Sequence, residues 1–127
     1  MPIKTKFLED GGVLHKGLGV ITDDDIEQLY KDIYPNEEQI KKIAYRIFDV
    51  SNADKIEMSS EQVIRKAEMA AKAFNINPNM RVAVLGNPEL IFGLGRMWET
   101  YACELSGYED NCNVFREMDE LMKWIKD

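Results

Sequence analysis

Two cysteines and a single histidine among 127 residues leave little material for metal or nucleophile chemistry. Cys103 and Cys112 are too few for a small secreted disulfide scaffold and too few for a structural zinc set, so a reducing cytoplasm is the expected location. His15 has no second histidine to work with and reads as a surface residue of a strand. No apolar run approaches the roughly 20 residues a membrane helix needs, and Met1 to Gly11 carries no apolar core of signal-peptide length. Concentrated basic charge is missing as well. The net charge is −7, and the pair Lys41-Lys42 reads as a solvated lead into a strand, which argues against nucleic-acid and anionic-membrane binding. Repeats, low-complexity tracts and linkers are absent, so one domain over 1–127 is expected.

What is present is the ordinary material of a folded α/β chain, 45% hydrophobic and 31% charged, which argues against disorder. The most informative stretch runs from Arg81 to Glu99. Val82-Ala83-Val84-Leu85 is a continuous apolar run suited to a strand covered on both faces. Gly86 breaks it, Asn87 offers a cap, and Pro88 suits a first helical position because it has no N–H to leave unpaired. Leu90, Leu94, Met97 with Trp98, Tyr101 and Leu105 then recur at helical spacing. Gly93 and Gly95 inside that helix each cost roughly 1 kcal/mol relative to Ala, and close packing against the sheet is the expected compensation.

Earlier in the chain, Ile3 to Leu8 alternates like a half-exposed edge strand, and Glu9-Asp10-Gly11-Gly12 is turn chemistry. Val13 to Val20 completes a hairpin, with Gly17 and Gly19 marking a bulge or a close backbone. Thr22 before Asp23-Asp24-Asp25 caps a helix whose macrodipole favours early carboxylates, with Ile26, Leu29, Tyr30 and Ile33 as its buried face. Pro35 ends it, and Asn36 to Lys41 reads as a polar connector. Ile43 to Val50 is the next strand, with Asp49 at its carboxyl end, where open α/β sheets place functional groups. Ser51 to Met58 reads as a loop. Ser59 with Gln62 forms a capping box ahead of a helix bearing Val63, Ala67, Ala70 and Phe74, widened by Ile64 and Ala71. Asn113-Val114-Phe115 is a short last strand, and Glu117 to Lys126 a final helix with Met118, Leu121, Met122, Trp124 and Ile125 as its apolar side. The order β-β-α-β-α-β-α-β-α requires a mostly parallel sheet with an antiparallel edge hairpin and helices packed on it.

Phe48-Asp49-Val50-Ser51, Met58-Ser59-Ser60, Arg81 to Leu85, Phe92 to Trp98 and Val114 to Ile125, taken in this order, resemble the STAS domain. They are closest to its SpoIIAA-like branch of small stand-alone bacterial proteins. The resemblance implies a non-enzymatic regulatory or protein-interaction domain. Anti-sigma-factor antagonists of that family carry an Asp-Ser-Ser-Gly run whose second serine is phosphorylated. Ser60 matches that serine, but Met58 replaces the Asp and Glu61 the Gly, so Ser59 and Ser60 read as helix caps rather than as a phosphoswitch.

The resemblance places a partner surface around Asp49, Ser59 and Ser60. The alternative is a small-molecule site for an apolar or anionic, lipid-like ligand, since SpoIIAA-like sequences are similar to lipid-carrying domains of the CRAL-TRIO type. Asn87, Gly93 and Arg96 are the candidates there, with Phe92, Met97 and Trp98 as apolar wall. Arg96 lies more than two turns beyond the helix start, too far to share one small phosphate with Asn87. No nucleophile elbow, phosphate loop or distinctive carboxylate pair suggests catalysis, and no cofactor is implied. A homodimer stays open.

Overall fold

The computed structural model describes residues 2–87, 89 and 91–127, with 91 and 92 described by backbone alone. Pro88 and Leu90, the expected first helical position and first apolar-stripe residue, lie outside the described residues, as does the Phe92 side chain. Five strands form one sheet in the order β1-β2-β4-β6-β7. They are β1 (Ile3–Phe7), β2 (Gly12–Gly17), β4 (Tyr45–Asp49), β6 (Arg81–Leu85) and β7 (Cys112–Phe115). β1 pairs antiparallel with β2 at the edge, and every other pairing in this sheet is parallel. The expected architecture is therefore present.

Alternation along the strands sends side chains to two layers. On one face, Val13, His15, Arg46, Phe48, Val82 and Val84 look toward α1 (Asp23–Ile33) and α3 (Ser60–Ile76). On the other, Tyr45, Ile47, Ala83 and Leu85 pack under Leu121 of the last helix, α5 (Met118–Lys126), with Trp124 tilted against Phe115. Both main helices start as expected. Thr22 and Asp25 form a reciprocal capping box on α1, and Ser59 and Gln62 form one on α3.

Five local readings change. The second hairpin strand ends at Gly17. Gly19 takes φ +67°, a left-handed conformation that turns the chain into β3 (Gly19–Thr22). β3 pairs in parallel with β5 (Ala53–Glu57), a strand in the segment expected to be a loop, so a second, two-stranded sheet exists. The connector after Pro35 contains a short helix, α2 (Glu37–Lys41), because Asn36 caps it through the Gln39 N–H. His15 is fully buried rather than superficial, since β2 lies inside the sheet between β1 and β4.

The fifth change concerns the helix after β6. It consists of a π-helical segment π1 (Ile91–Gly95), one α turn α4 (Arg96–Glu99) and a second segment π2 (Thr100–Glu104). The i→i+5 bonds at Leu105 to Thr100 and Tyr108 to Cys103 widen the turns and rotate the buried face. Tyr101 and Leu105 thus become exposed, while Glu99, Ala102 and Cys103 point inward. Cys103 is joined to Cys112 as a disulfide, with Cα atoms 6.1 Å apart, a pairing that two cysteines alone did not suggest.

Candidate functional site

The helix-covered face of the sheet opens into a cleft of about 80 Å³. Its floor is Arg46 and Phe48 of β4, Val50 just after that strand, and Val82 and Val84 of β6. Tyr30 of α1 and Val63 of α3 close two sides, Met58 stands at the entry to α3, and Leu94, Gly95 and Trp98 form the wall contributed by π1 and α4. Apart from the Tyr30 hydroxyl and the Trp98 indole N–H, the polar side chains of this lining are two cations, Arg46 and Lys66, which are 2% and 1% exposed.

The two cations are held differently. Lys66 Nζ lies 2.9 Å from both Asp23 Oδ1 and Glu27 Oε2 of α1. Burial alone would pull its ammonium down, but the bonds to Glu27 and Asp23 more than offset this and hold its pKa above the ordinary value. Arg46 has no carboxylate within ion-pair distance among the described residues. Its Nε donates to His15 Nε2 at 3.1 Å and its Nη1 to the Tyr34 hydroxyl at 2.8 Å. The Tyr30 and Tyr34 rings, themselves stacked, lie 5.3 and 5.1 Å from the guanidinium carbon.

Because Arg can only donate, His15 accepts at Nε2, so its proton sits on Nδ1 and is shared with Thr5 Oγ1 at 2.9 Å. Burial, and then the Arg46 charge, hold the imidazole at a pKa of about 2. His15 is therefore a neutral acceptor that fixes Arg46 without cancelling its charge.

None of the six residues singled out from the sequence lines this cleft. Asp49 sits on the α5 side of β4, where it accepts from the backbone N–H and hydroxyl of Ser51. Ser59 caps α3 from the surface, and Ser60 is exposed in the first turn. Asn87 follows β6, at the same end of the sheet as Asp49, since Asp49 and Leu85 are register partners. Gly93 is exposed, and a Cβ there would meet no atom of the described residues within 4 Å, so among them nothing supplies the expected packing reason. Arg96 reaches back to Glu99 at 3.2 Å, and burial raises the Glu99 pKa against that attraction.

The cleft residues carried signals of their own. Arg46 stands in the middle of an otherwise apolar strand pattern, and Lys66 falls at i+3 from Val63 within the buried stripe of α3. A cation at a position the periodicity assigns to the core needs a partner. Which partner it has is a matter of tertiary structure.

No protein-family model and no curated protein sequence matches the chain. Solved structures do. The anti-sigma factor antagonist SpoIIAA in its unphosphorylated form superposes with a TM-score of 0.60 at 9% identity, over 95% of this chain and 94% of that one. SpoIIAA of Bacillus in its phosphorylated form gives 0.57 at 10%, over 95% and 97%. An uncharacterised Shewanella loihica protein with a SpoIIAA-like fold gives 0.50 at 18%, over 97% and 91%. This chain has a STAS, or SpoIIAA-like, fold. The STAS resemblance noticed in Phe48 to Ser51 and Met58 to Ser60 therefore holds at the level of architecture. In this STAS fold β4 leads through β5 to the exposed start of α3. Among its described helices none is long and apolar enough to cross a membrane.

Proposed function

We infer that the chain is a single STAS-type regulatory or protein-interaction domain that catalyses nothing. The observation that carries this reading is the start of α3 within a SpoIIAA-like architecture. Ser60 is exposed there, and its hydroxyl makes no hydrogen bond among the described residues, whereas neighbouring Ser59 is used as the cap. The partner surface is centred on Ser60 and Ser59 and takes in Asn87 beyond the carboxyl end of β6 and Gly93 and Arg96 on the following helix; Asp49, buried on the α5 side of the sheet, is not part of it. The non-catalytic half of the reading is supported by His15, the sole imidazole, which is committed to Thr5 and Arg46 and does not titrate near neutrality.

Co-purification from the native host tests it. Ser60→Trp is expected to remove a partner that wild type retains, while Lys4→Trp on the distant β1 edge retains it. Equal recovery with both variants would sink the α3 surface. The change of Asp to Met58 and of Gly to Glu61 argues for constitutive binding, so Ser60→Asp is expected to leave recovery unchanged.

A further inference from the structure

We propose that the cleft beside Arg46 is a binding site for a small monocarboxylate with an apolar body, its carboxylate seated on the Arg46 guanidinium. This site is separate from the partner surface around Ser60 and stands or falls without it.

Three observations lead there. First, Arg46 is almost wholly buried and lines the cleft, yet no carboxylate pairs with it among the described residues. Buried charges are ordinarily paired, and Lys66 in the same cleft shows this chain doing so with two carboxylates. Second, Arg46 is fixed but not saturated. His15 and Tyr34 occupy Nε and Nη1, leaving Nη2 without a hydrogen bond among the described residues. Neither partner carries a compensating charge at neutral pH, since an imidazole side chain has only neutral and cationic forms there and burial raises the Tyr34 pKa above the phenol's ordinary value. A guanidinium pinned by a neutral acceptor and flanked by two rings is a preorganised donor for a planar anion.

Third, the rest of the cleft is mostly apolar. Apart from Lys66, already paired with Asp23 and Glu27, the only polar groups its lining side chains bring are the Tyr30 hydroxyl and the Trp98 indole N–H, so a ligand that satisfied Arg46 would have to bring a hydrophobic body. A cleft of about 80 Å³ suits a short aliphatic or single-ring acid. Its outer wall belongs to π1 and α4, and π-type turns inside helices occur often at functional sites.

The test uses hexanoate and its neutral isostere hexanamide, followed by the indole N–H resonances of the two tryptophans. Trp98 lines the cleft, whereas Trp124 packs against Phe115 on the opposite face and serves as internal control. Hexanoate is expected to shift Trp98 saturably while Trp124 stays still, and to bind at least about tenfold more tightly than hexanamide, because the charge-assisted bonds to Arg46 are available only to the anion. In Arg46→Met the two probes are expected to bind equally weakly. Met58→Trp keeps Arg46 but fills the cleft with a bulkier lining side chain, and is expected to abolish both titrations. Urea midpoints confirm that each variant is folded. No saturable Trp98 shift with hexanoate, equal affinity for the two probes in wild type, or an unchanged hexanoate titration in either folded variant overturns the proposal.

Discussion

Arg46 and Lys66 are two cations buried to the same degree in the same cleft, and the protein treats them oppositely. Lys66, from α3, ties down the first two turns of α1 through Asp23 and Glu27. It is an interhelical clamp, complete within the chain. Arg46, from the middle of the sheet, meets only a neutral imidazole, a phenol and two aromatic faces. Burial by itself therefore does not distinguish a structural charge from a functional one. What distinguishes them is whether the chain supplies the counter-charge, because a desolvated charge that lacks one is a cost folding alone does not explain.

The largest effect is expected from breaking the completed side. Lys66→Met removes the cation but leaves the Asp23 carboxylate partly desolvated against an apolar side chain. Loss of a buried pair's partner costs about 3–5 kcal/mol. Because Asp23 and Glu27 are 14% and 36% exposed and can recover some hydration, about 2 kcal/mol is expected for Lys66→Met, read from urea denaturation. A loss near zero would mean that the clamp contributes no more than a surface ion pair.

The next effect concerns the neutral partner of Arg46. The folded His15 pKa is lowered from 6.5 to about 2, so between those values the unfolded chain takes up a proton that the native state refuses. The His15 contribution to stability is full above about pH 6.5 and is lost as pH falls through that window, at about 1.4 kcal/mol per pH unit. Comparing wild type with His15→Gln between pH 7 and pH 5 isolates this slope from that of the carboxylates. Parallel curves would show His15 titrating normally, and with it a site in which Arg46 faces another charge.

Much of the fold was legible because it depends on local pattern. The Thr22 and Ser59 caps, the buried faces of α1 and α3, and the strand Val82 to Leu85 all follow from residue type and period. The second sheet was not legible. β5 reads Ala53-Asp54-Lys55-Ile56-Glu57, too polar to announce a strand, and it forms because Gly19 delivers β3 beside it. The helix after β6 misled for a related reason. A 3.6-residue period fits Tyr101 and Leu105 to the core, and only the π turns carry them outward. The cleft lies between these two surprises, with Ile56 on one side and Leu94 on the other. Its key residues were passed over because an arginine in a strand and a lysine in a helix look ordinary until their depth is known.

Thr22→Ala tests how the clamp is positioned. Losing the cap, which accepts from Asp25 N–H, is expected to cost about 1 kcal/mol. Asp23 is the first residue of the helix that Thr22 caps, so the cost should depend on Lys66. The double variant Thr22→Ala with Lys66→Met is expected to lose less than the sum of the two single losses. Strict additivity would separate the cap from the clamp.

The smallest stability effect is expected where the charge is left open. Arg46→Met removes a desolvated guanidinium and leaves no carboxylate behind, and the thioether can fill the space between the Tyr30 and Tyr34 rings. Against this gain stand the acceptor orphaned at His15 Nε2 and the lost bond to Tyr34. The two contributions oppose each other, so the net change is expected to be less than about 1 kcal/mol, of either sign, by urea denaturation. A loss as large as that from Lys66→Met would show that the guanidinium is already compensated within the fold. The two cations would then be alike, and the cleft would have no charge waiting for a partner.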